Sequence, residues 1–248
     1  MAKDAKSAFC EDSRVKFPTL MHLMGMGFKY VSLKGLKTKY VEAPKTEFDP
    51  LTNILTDYFI DAYCTLNPKA EKKDAEDMLV KIQKSLQNDD LGRQFYNEIL
   101  LNTGEKIIDL SSPVNFYKNN TFQVATEMTC GSKDSDNYRP DITIFVNGLP
   151  LAFIEVKKEN NHKGIQAETD RMKQRFVNPQ YRRFLNITQI MVFSNDMEYD
   201  NNEVTPTIGA FYATIGKKNT KYNCFREEGQ DSFPTARHIH QVTPEEEE

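Results

Sequence analysis

Two carboxylates and a lysine gather in the stretch 139–157, RPDITIFVNGLPLAFIEVK. Asp141 opens a run of alternating residues, Asn147-Gly148 interrupts it, and a second run ends in Glu155-Val156-Lys157. Asn-Gly between two apolar runs is the strongest short-range hairpin signal, so the spacing predicts two antiparallel strands with both carboxylates at one end. Carboxylate oxygens suit a hard divalent cation, and an adjacent ammonium suits charge developing on a phosphoryl group. The chemistry this constellation could perform is metal-assisted hydrolysis of a phosphodiester.

Whether the carboxylates meet depends on register. Side chains alternate along a strand, so Glu155 and Lys157 share a face with Leu151 and Phe153. A two-residue turn pairs Val146 with Leu149 and Asp141 with Ile154, which leaves Asp141 on the face opposite Glu155. A three-residue loop, 147–149, pairs Asp141 with Glu155 directly, because a one-residue slip flips every side chain. Cooperation therefore requires a loop of odd residue count or a bulge that restores the face. Ile142, Ile144, Val146, Ala152 and Ile154 make one apolar face, and Phe145, Leu151 and Phe153 dominate the other. Strands apolar on both faces are covered by helices. Asp141, Glu155 and Lys157 sit where this pattern ends, at an accessible rim.

The elements that must position the hairpin follow from periodicity. A helix is predicted from Ser13, with Leu20, Leu23 and Met24 in phase and Gly25 and Gly27 closing it. The segment up to Lys45 reads as loop or strand. Asp49 as N-cap and Pro50 at the first helical position open a second helix with an apolar stripe of Leu51, Ile54, Leu55, Tyr58, Phe59 and Ala62, of which Leu55, Tyr58 and Phe59 are core. After Pro68, Met78, Leu79, Ile82 and Leu86 continue the helical period, and Leu91, Phe95, Ile99 and Leu100 form another helix ending near Gly104. Beyond Pro113 the pattern turns to strands: 121–130, then the hairpin, with a polar connection over 131–137. A helix returns from Lys163, with Ile165, Thr169, Met172 and Phe176 on one face. Strands follow at 190–193 and 208–215. The expected class is α/β, with an αβββαβ core of mixed sheet flanked by helices. Residues 1–105 form a mostly helical region packed on that core, 106–240 the core itself, and 241–248 an acidic tail.

Composition narrows the function. With 248 residues, 39% hydrophobic and 27% charged, the chain can bury a sizeable core as an ordinary soluble protein. A formal net charge of −4 excludes a globally basic nucleic-acid binder, so attraction to DNA has to come from a local patch. The candidates are Lys157, Lys158, Lys163, Gln166, Arg171, Lys173, Arg175, Arg182 and Arg183, although a solvated helix face has the same composition. No apolar run reaches membrane-span length, and the N-terminus lacks a signal-peptide core. Four scattered cysteines without a CxxC read as reduced thiols of a cytoplasmic protein. The N-x-T triplets at Asn119 and Asn186 are then chance. His238 and His240 lack an acidic cluster, His22 and His162 are ordinary, and Glu127 reads as structural. No G-x-x-x-x-G-K-[ST] occurs, so ATP is not expected to bind.

The order of elements with P-D-x13-E-x-K inside it resembles the PD-(D/E)XK restriction-endonuclease-like nucleases. The fuller string RPDITIFVNGLPLAFIEVKKE is similar to the N-terminal nuclease region of the restriction (R) subunit of Type I restriction–modification enzymes. SRVK from Ser13, DLGRQFY from Asp90, VFSND from Val192 and GAFYAT from Gly209 also have similar counterparts there. The resemblance implies that Asp141 and Glu155 hold Mg2+ (or Mn2+), with the Val156 carbonyl as a further ligand, and that Lys157 stabilises charge or positions the attacking water. It implies an endonuclease acting on double-stranded DNA without sequence choice of its own, weak when alone. Its partners would be methyltransferase and specificity subunits and the helicase/translocase domains of the same full-length subunit, of which this chain would be a fragment or truncated product. Many such nucleases carry Q-x-x-x-Y on the following helix. The corresponding window here is 168–172, and neither Glu168 nor Met172 matches, with Gln166 just upstream. Glu11 and Asp12 are candidates for an upstream acidic residue. A catalytically silent docking module and a stand-alone nuclease of the same fold are the alternatives.

Overall fold

The computed structural model describes residues 15–32, 48–49, 51–101, 104–130, 138–157, 164–194, 210–214 and 223–224. In chain order these form α1 (Phe17–Gly25), β1 (Lys29–Tyr30), α2 (Thr56–Leu66), α3 (Lys72–Ser85), a π-helical turn (Phe95–Leu100) and α4 (Pro113–Asn119). Then come β2 (Phe122–Thr126), β3 (Ile142–Val146), β4 (Leu149–Val156), α5 (Gly164–Val177), a 3-10 turn (Pro179–Tyr181) and α6 (Arg182–Ile187). Strands β5 (Ile190–Ser194), β6 (Ala210–Thr214) and β7 (Asn223–Cys224) complete the order. The strands lie side by side in sequence order in one seven-stranded sheet. β1 runs parallel to β2, and β4 parallel to β5; the other neighbours are antiparallel. A parallel pair needs a long crossover, and α5 and α6 supply it between β4 and β5. This is the α/β class expected, a mixed sheet flanked by helices with the order α4-β2-β3-β4-α5-β5 at its centre, consistent with a restriction-endonuclease-like fold.

Both faces of the central hairpin are covered, as its doubly apolar sequence requires. Ile142, Ile154 and Val156 pack with Val124 against Val15 and Leu23 at α1. On the other face Phe153, Met191 and Phe193 pack against Met172 and Phe176 of α5 and Phe184 and Leu185 of α6. The turn end, Val146 and Leu149, is buried among Phe59 and Tyr63 of α2 and Met78 and Ile82 of α3.

Several boundaries differ from the sequence reading. Asp49 does not cap a helix at Pro50. Its carboxylate accepts hydrogen bonds from the Leu51 N–H (3.0 Å) and the Thr52 hydroxyl (2.7 Å), which closes an Asx-type turn. Asn53 then adopts φ 59°, and α2 begins only at Thr56. The cause is tertiary: the Leu55 N–H donates to the carbonyl of Gly148 at 2.9 Å, which ties this segment to the hairpin turn. Leu91 takes φ 55° and stays outside the helical run that starts near Phe95. Pro113 opens a helix rather than preceding strands alone, because Ser112 accepts the Asn115 N–H as an N-cap. The first strand of the central three stops at Thr126, where Glu127 turns to φ 52°. The sequence reading also missed α6 and the two-residue strand β7, and left β1 open between loop and strand.

Candidate active site

The hairpin solves the register problem with a bulge. Asn147 and Gly148 take φ 53° and 76°, the left-handed pair of a two-residue turn, and Val146 pairs with Leu149. Left alone, that turn would set Asp141 against Ile154. The ladder shifts between Ile144 and Phe145, however: Phe145 pairs with Pro150, whereas Ile144 pairs with Ala152, so Leu151 is the extra residue. Pro150 supplies the local reason, since it has no N–H for the ladder and a central strand accommodates proline at a bulge. Beyond the shift Thr143 pairs with Phe153 and Ile142 with Ile154. The ladder ends there, and by its count the next position, Asp141, falls level with Glu155, with the Asp141 carboxylate taking the Val156 N–H in place of a ladder bond.

The two carboxylates are held differently. Asp141 Oδ2 accepts the Val156 N–H at 2.9 Å, and its carbonyl accepts the Glu127 N–H at 3.1 Å. Lys16 Nζ, from the residue preceding α1, lies 3.5 Å from Asp141 Oδ1 and 2.9 Å from Glu127 Oε1. Glu155, with a side chain only 7% exposed, has Lys157 Nζ at 3.7 Å from Oε2 and Arg175 Nη1 at 3.9 Å from Oε1. Three carboxylates and three cations thus share the rim, which permits burial of charge that would be costly alone.

Behind Glu155 lies a buried polar layer. The Arg175 guanidinium stacks over the Tyr138 ring, 3.8 Å from its centroid, and Tyr138 packs edge-on against Phe153 and Tyr181. Burial first, and then the negative charge of Glu155, push the Tyr138 hydroxyl well above its ordinary pKa. Cys130 is joined to Tyr138 by a backbone hydrogen bond of 2.8 Å and accepts the Asn53 amide at its sulfur at 3.0 Å. Burial raises its thiol too, which makes it an inert neighbour rather than a nucleophile.

Of the residues singled out by sequence, Glu155 and Lys157 are in contact, and Asp141 is tied to the same strand end through the N–H of Val156, whose side chain is buried. Arg171 and Lys173 are exposed on α5, the latter 3.1 Å from Asp170. Arg175 departs from that row and turns inward. Arg182 and Arg183 are half-buried on α6. Lys158, Lys163, Glu11, Asp12, His162, His238 and His240 lie outside the described residues, as do the side chains of Gln166 and Glu168. Sequence reasoning passed over Lys16, Tyr138 and the inward turn of Arg175. Lys16 stood in the quoted SRVK string, where its charge beside the Phe17-Pro18 helix start was the available signal. Among the described residues no group of three or more His, Cys, Asp and Glu is arranged for a metal.

A family model described as the N terminus of the Type I restriction enzyme R protein matches residues 9–204. The chain belongs to that family. A relative from Methanocaldococcus jannaschii, named as the type I restriction enzyme MjaIXP endonuclease subunit, is 26% identical over 225 residues. The alignment takes in 83% of this chain but 20% of that relative, so the chain spans about a fifth of its length. The whole rim, from Lys16 through the hairpin to Arg175, falls within the matched part of this R-protein N terminus. None of its described helices is long and apolar enough to cross a membrane.

Proposed function

We propose that this R-protein N terminus is a Mg2+-dependent endonuclease domain that hydrolyses phosphodiesters of double-stranded DNA without sequence choice of its own. The observation that supports the reading is the bulge at Leu151, which restores the register that a shared site of Asp141 and Glu155 needs despite a two-residue turn. The donor set fits the ion: carboxylate oxygens, with no thiolate or imidazole among the described groups at this rim, suit Mg2+ or Mn2+. Asp141 and Glu155 would hold the ion, with the Val156 carbonyl as a third oxygen. When bound, it would acidify its water and neutralise charge on the phosphoryl oxygens.

The chain's own groups do the rest. The Val156 N–H fixes the orientation of Asp141, so one carboxylate oxygen is committed to the backbone and the other faces the rim. Lys157, 3.7 Å from Glu155, places an ammonium where the phosphate gains charge, and it positions the attacking water or stabilises the leaving oxygen. Arg171 and Lys173, exposed on α5, supply phosphate contacts, which position the duplex without reading bases. Sequence choice, methylation sensing and ATP-driven delivery then belong to methyltransferase and specificity subunits and to translocase domains of the longer R subunit, working together in the cytoplasm.

Titration of Mg2+ or Mn2+ into the chain with supercoiled plasmid tests the reading. Metal-dependent nicking is expected, weak in the absence of a translocase, and lost in Asp141→Ala and Lys157→Ala. Absence of both nicking and Mn2+ binding in the unmodified chain would overturn it. One observation favours a second reading, a docking module that no longer cuts. Lys16, Lys157 and Arg175 already balance the acidic groups without a metal. That reading predicts no metal binding at all.

A further inference from the structure

We infer that Arg175 is a positioning residue of this site, fixing the metal-binding carboxylate of Glu155 from behind rather than contacting DNA phosphate. The inference rests on the endonuclease reading and assigns a task to a residue whose sequence context suggests a phosphate contact.

Three observations carry it. α5 presents Arg171 and Lys173 to solvent, but the Arg175 side chain is only 20% exposed. Its guanidinium carbon stands over the buried Tyr138 ring, 3.8 Å from the centroid, and Nη1 is 3.3 Å from the Met172 sulfur. The same Nη1 is 3.9 Å from Glu155 Oε1, on the side away from Lys157, which stands by Oε2. A planar cation clamped between an aromatic face and a thioether has few rotamers left, and the carboxylate beside it is correspondingly fixed.

The two carboxylates therefore differ in what orients them. Asp141 is held by a backbone N–H in the hairpin itself. Glu155 is held in part from α5, so the helix that follows the hairpin is coupled to the metal site through Tyr138 and Arg175. Lysine cannot replace arginine here, because an ammonium lacks the guanidinium group that sits over the Tyr138 ring while keeping a charge beside Glu155.

The test compares Mn2+ affinity by titration calorimetry, and the Mn2+ dependence of nicking, in the 248-residue chain and its variants. Supporting groups of metal ligands are typically worth about 10–100-fold in affinity or activity, so Arg175→Met is expected to weaken Mn2+ at least about 10-fold. Arg175→Lys is expected to fall between, and Tyr138→Leu to weaken Mn2+ more than Tyr138→Phe, which keeps the ring. Raising Mn2+ should return the nicking rate of Arg175→Met toward that of the unmodified chain, with plasmid affinity unmoved. A merely structural loss would not be rescued by metal. Circular dichroism checks folding; should Arg175→Met not fold, Arg175→Lys decides alone, and Mn2+ affinity equal to the unmodified chain overturns the inference. Weakened plasmid binding with unchanged Mn2+ affinity also overturns it and returns Arg175 to the DNA-contacting row. If the unmodified chain binds no Mn2+, or Glu155→Gln binds it equally well, the endonuclease reading itself falls, whatever the Arg175 variants do.

Discussion

Asn147 is the first residue of the hairpin turn, and turn chemistry alone would let glycine replace it without loss. The structure predicts otherwise. Asn147 is completely buried, and its amide donates to the Ile107 carbonyl and to Asn120 Oδ1, both at 2.8 Å. Its Oδ1 accepts the Thr121 N–H at 2.8 Å. Asn120 keeps other partners, since its own Oδ1 accepts the Asp109 N–H and its amide donates to the carbonyls of Asp109 and Phe116. Asn147→Gly therefore leaves two backbone groups, of Ile107 and Thr121, without this side chain. At about 1–3 kcal/mol for each buried group left unmade, with some recovery by water entering the vacated space, the loss is about 2–4 kcal/mol. Glycine relieves the backbone at φ 53°, so none of this loss is conformational. Asn147→Ala keeps the same deletion and adds the left-handed penalty, about 1 kcal/mol more. Urea unfolding followed by circular dichroism measures both, and the difference between the variants isolates the backbone share. A midpoint for Asn147→Gly equal to that of the unmodified protein would refute the argument, because the turn would then be stabilised by conformation and not by the side-chain network.

Lys16→Met removes the cation shared by Asp141 and Glu127 and should cost about 1 kcal/mol at low salt and less at 1 M salt, in keeping with a partly exposed pair; a salt-independent loss would contradict the electrostatic account. Asp109 is held at about 2, below the ordinary carboxylate value of 3.8, chiefly by the Ser111 hydroxyl and then by the Asn119 amide and the Ser111 N–H. A depressed carboxyl stabilises the fold above the unfolded value, and that contribution disappears as pH falls from 3.8 toward about 2. Asp109→Asn should accordingly flatten the dependence of the urea midpoint on pH in that window. Gly148→Ala should destabilise by about 2 kcal/mol or more, since the added Cβ meets the Leu55 carbonyl oxygen at 2.6 Å at a left-handed φ. Gly25→Ala, where nothing lies within 4 Å, should leave the urea midpoint unchanged or raised.

The sheet, the two buried faces of the hairpin and helices α3 and α5 were legible because each leaves a periodic mark that burial enforces. Met78 and Ile82, or Met172 and Phe176, are spaced for a helix and lie in the core. What escaped was decided by contacts distant in sequence. Asp49 and Pro50 together spell a helix start, but an Asx turn, a left-handed Asn53 and a hydrogen bond from Leu55 to Gly148, some ninety residues on, delay the helix to Thr56. Strands β1 and β7 are two residues each, too short for any period. Arg175 has the same charge and helix as Arg171, and only the placement of Tyr138, far upstream and outside the helix, distinguishes them.

The bulge belongs between these cases. Two requirements bear on the hairpin from opposite ends and disagree in parity. At the turn, Gly148 is seated so closely on α2 that a Cβ would come within 2.6 Å of the Leu55 oxygen, which leaves room for the compact two-residue Asn147-Gly148 turn and little else. At the rim, the metal site proposed above requires Asp141 and Glu155 to face each other. From Val146 back to Asp141 is five steps, and from Leu149 on to Glu155 is six, so an uninterrupted ladder satisfies the turn and defeats the site. One extra residue restores the count, and Leu151 is that residue. Proline at 150 in a central strand was the legible sign that the ladder breaks there. An uneven count between a two-residue turn and two rim carboxylates, with a proline on the longer arm, is thus a pattern from which the bulge can be deduced before any coordinates exist.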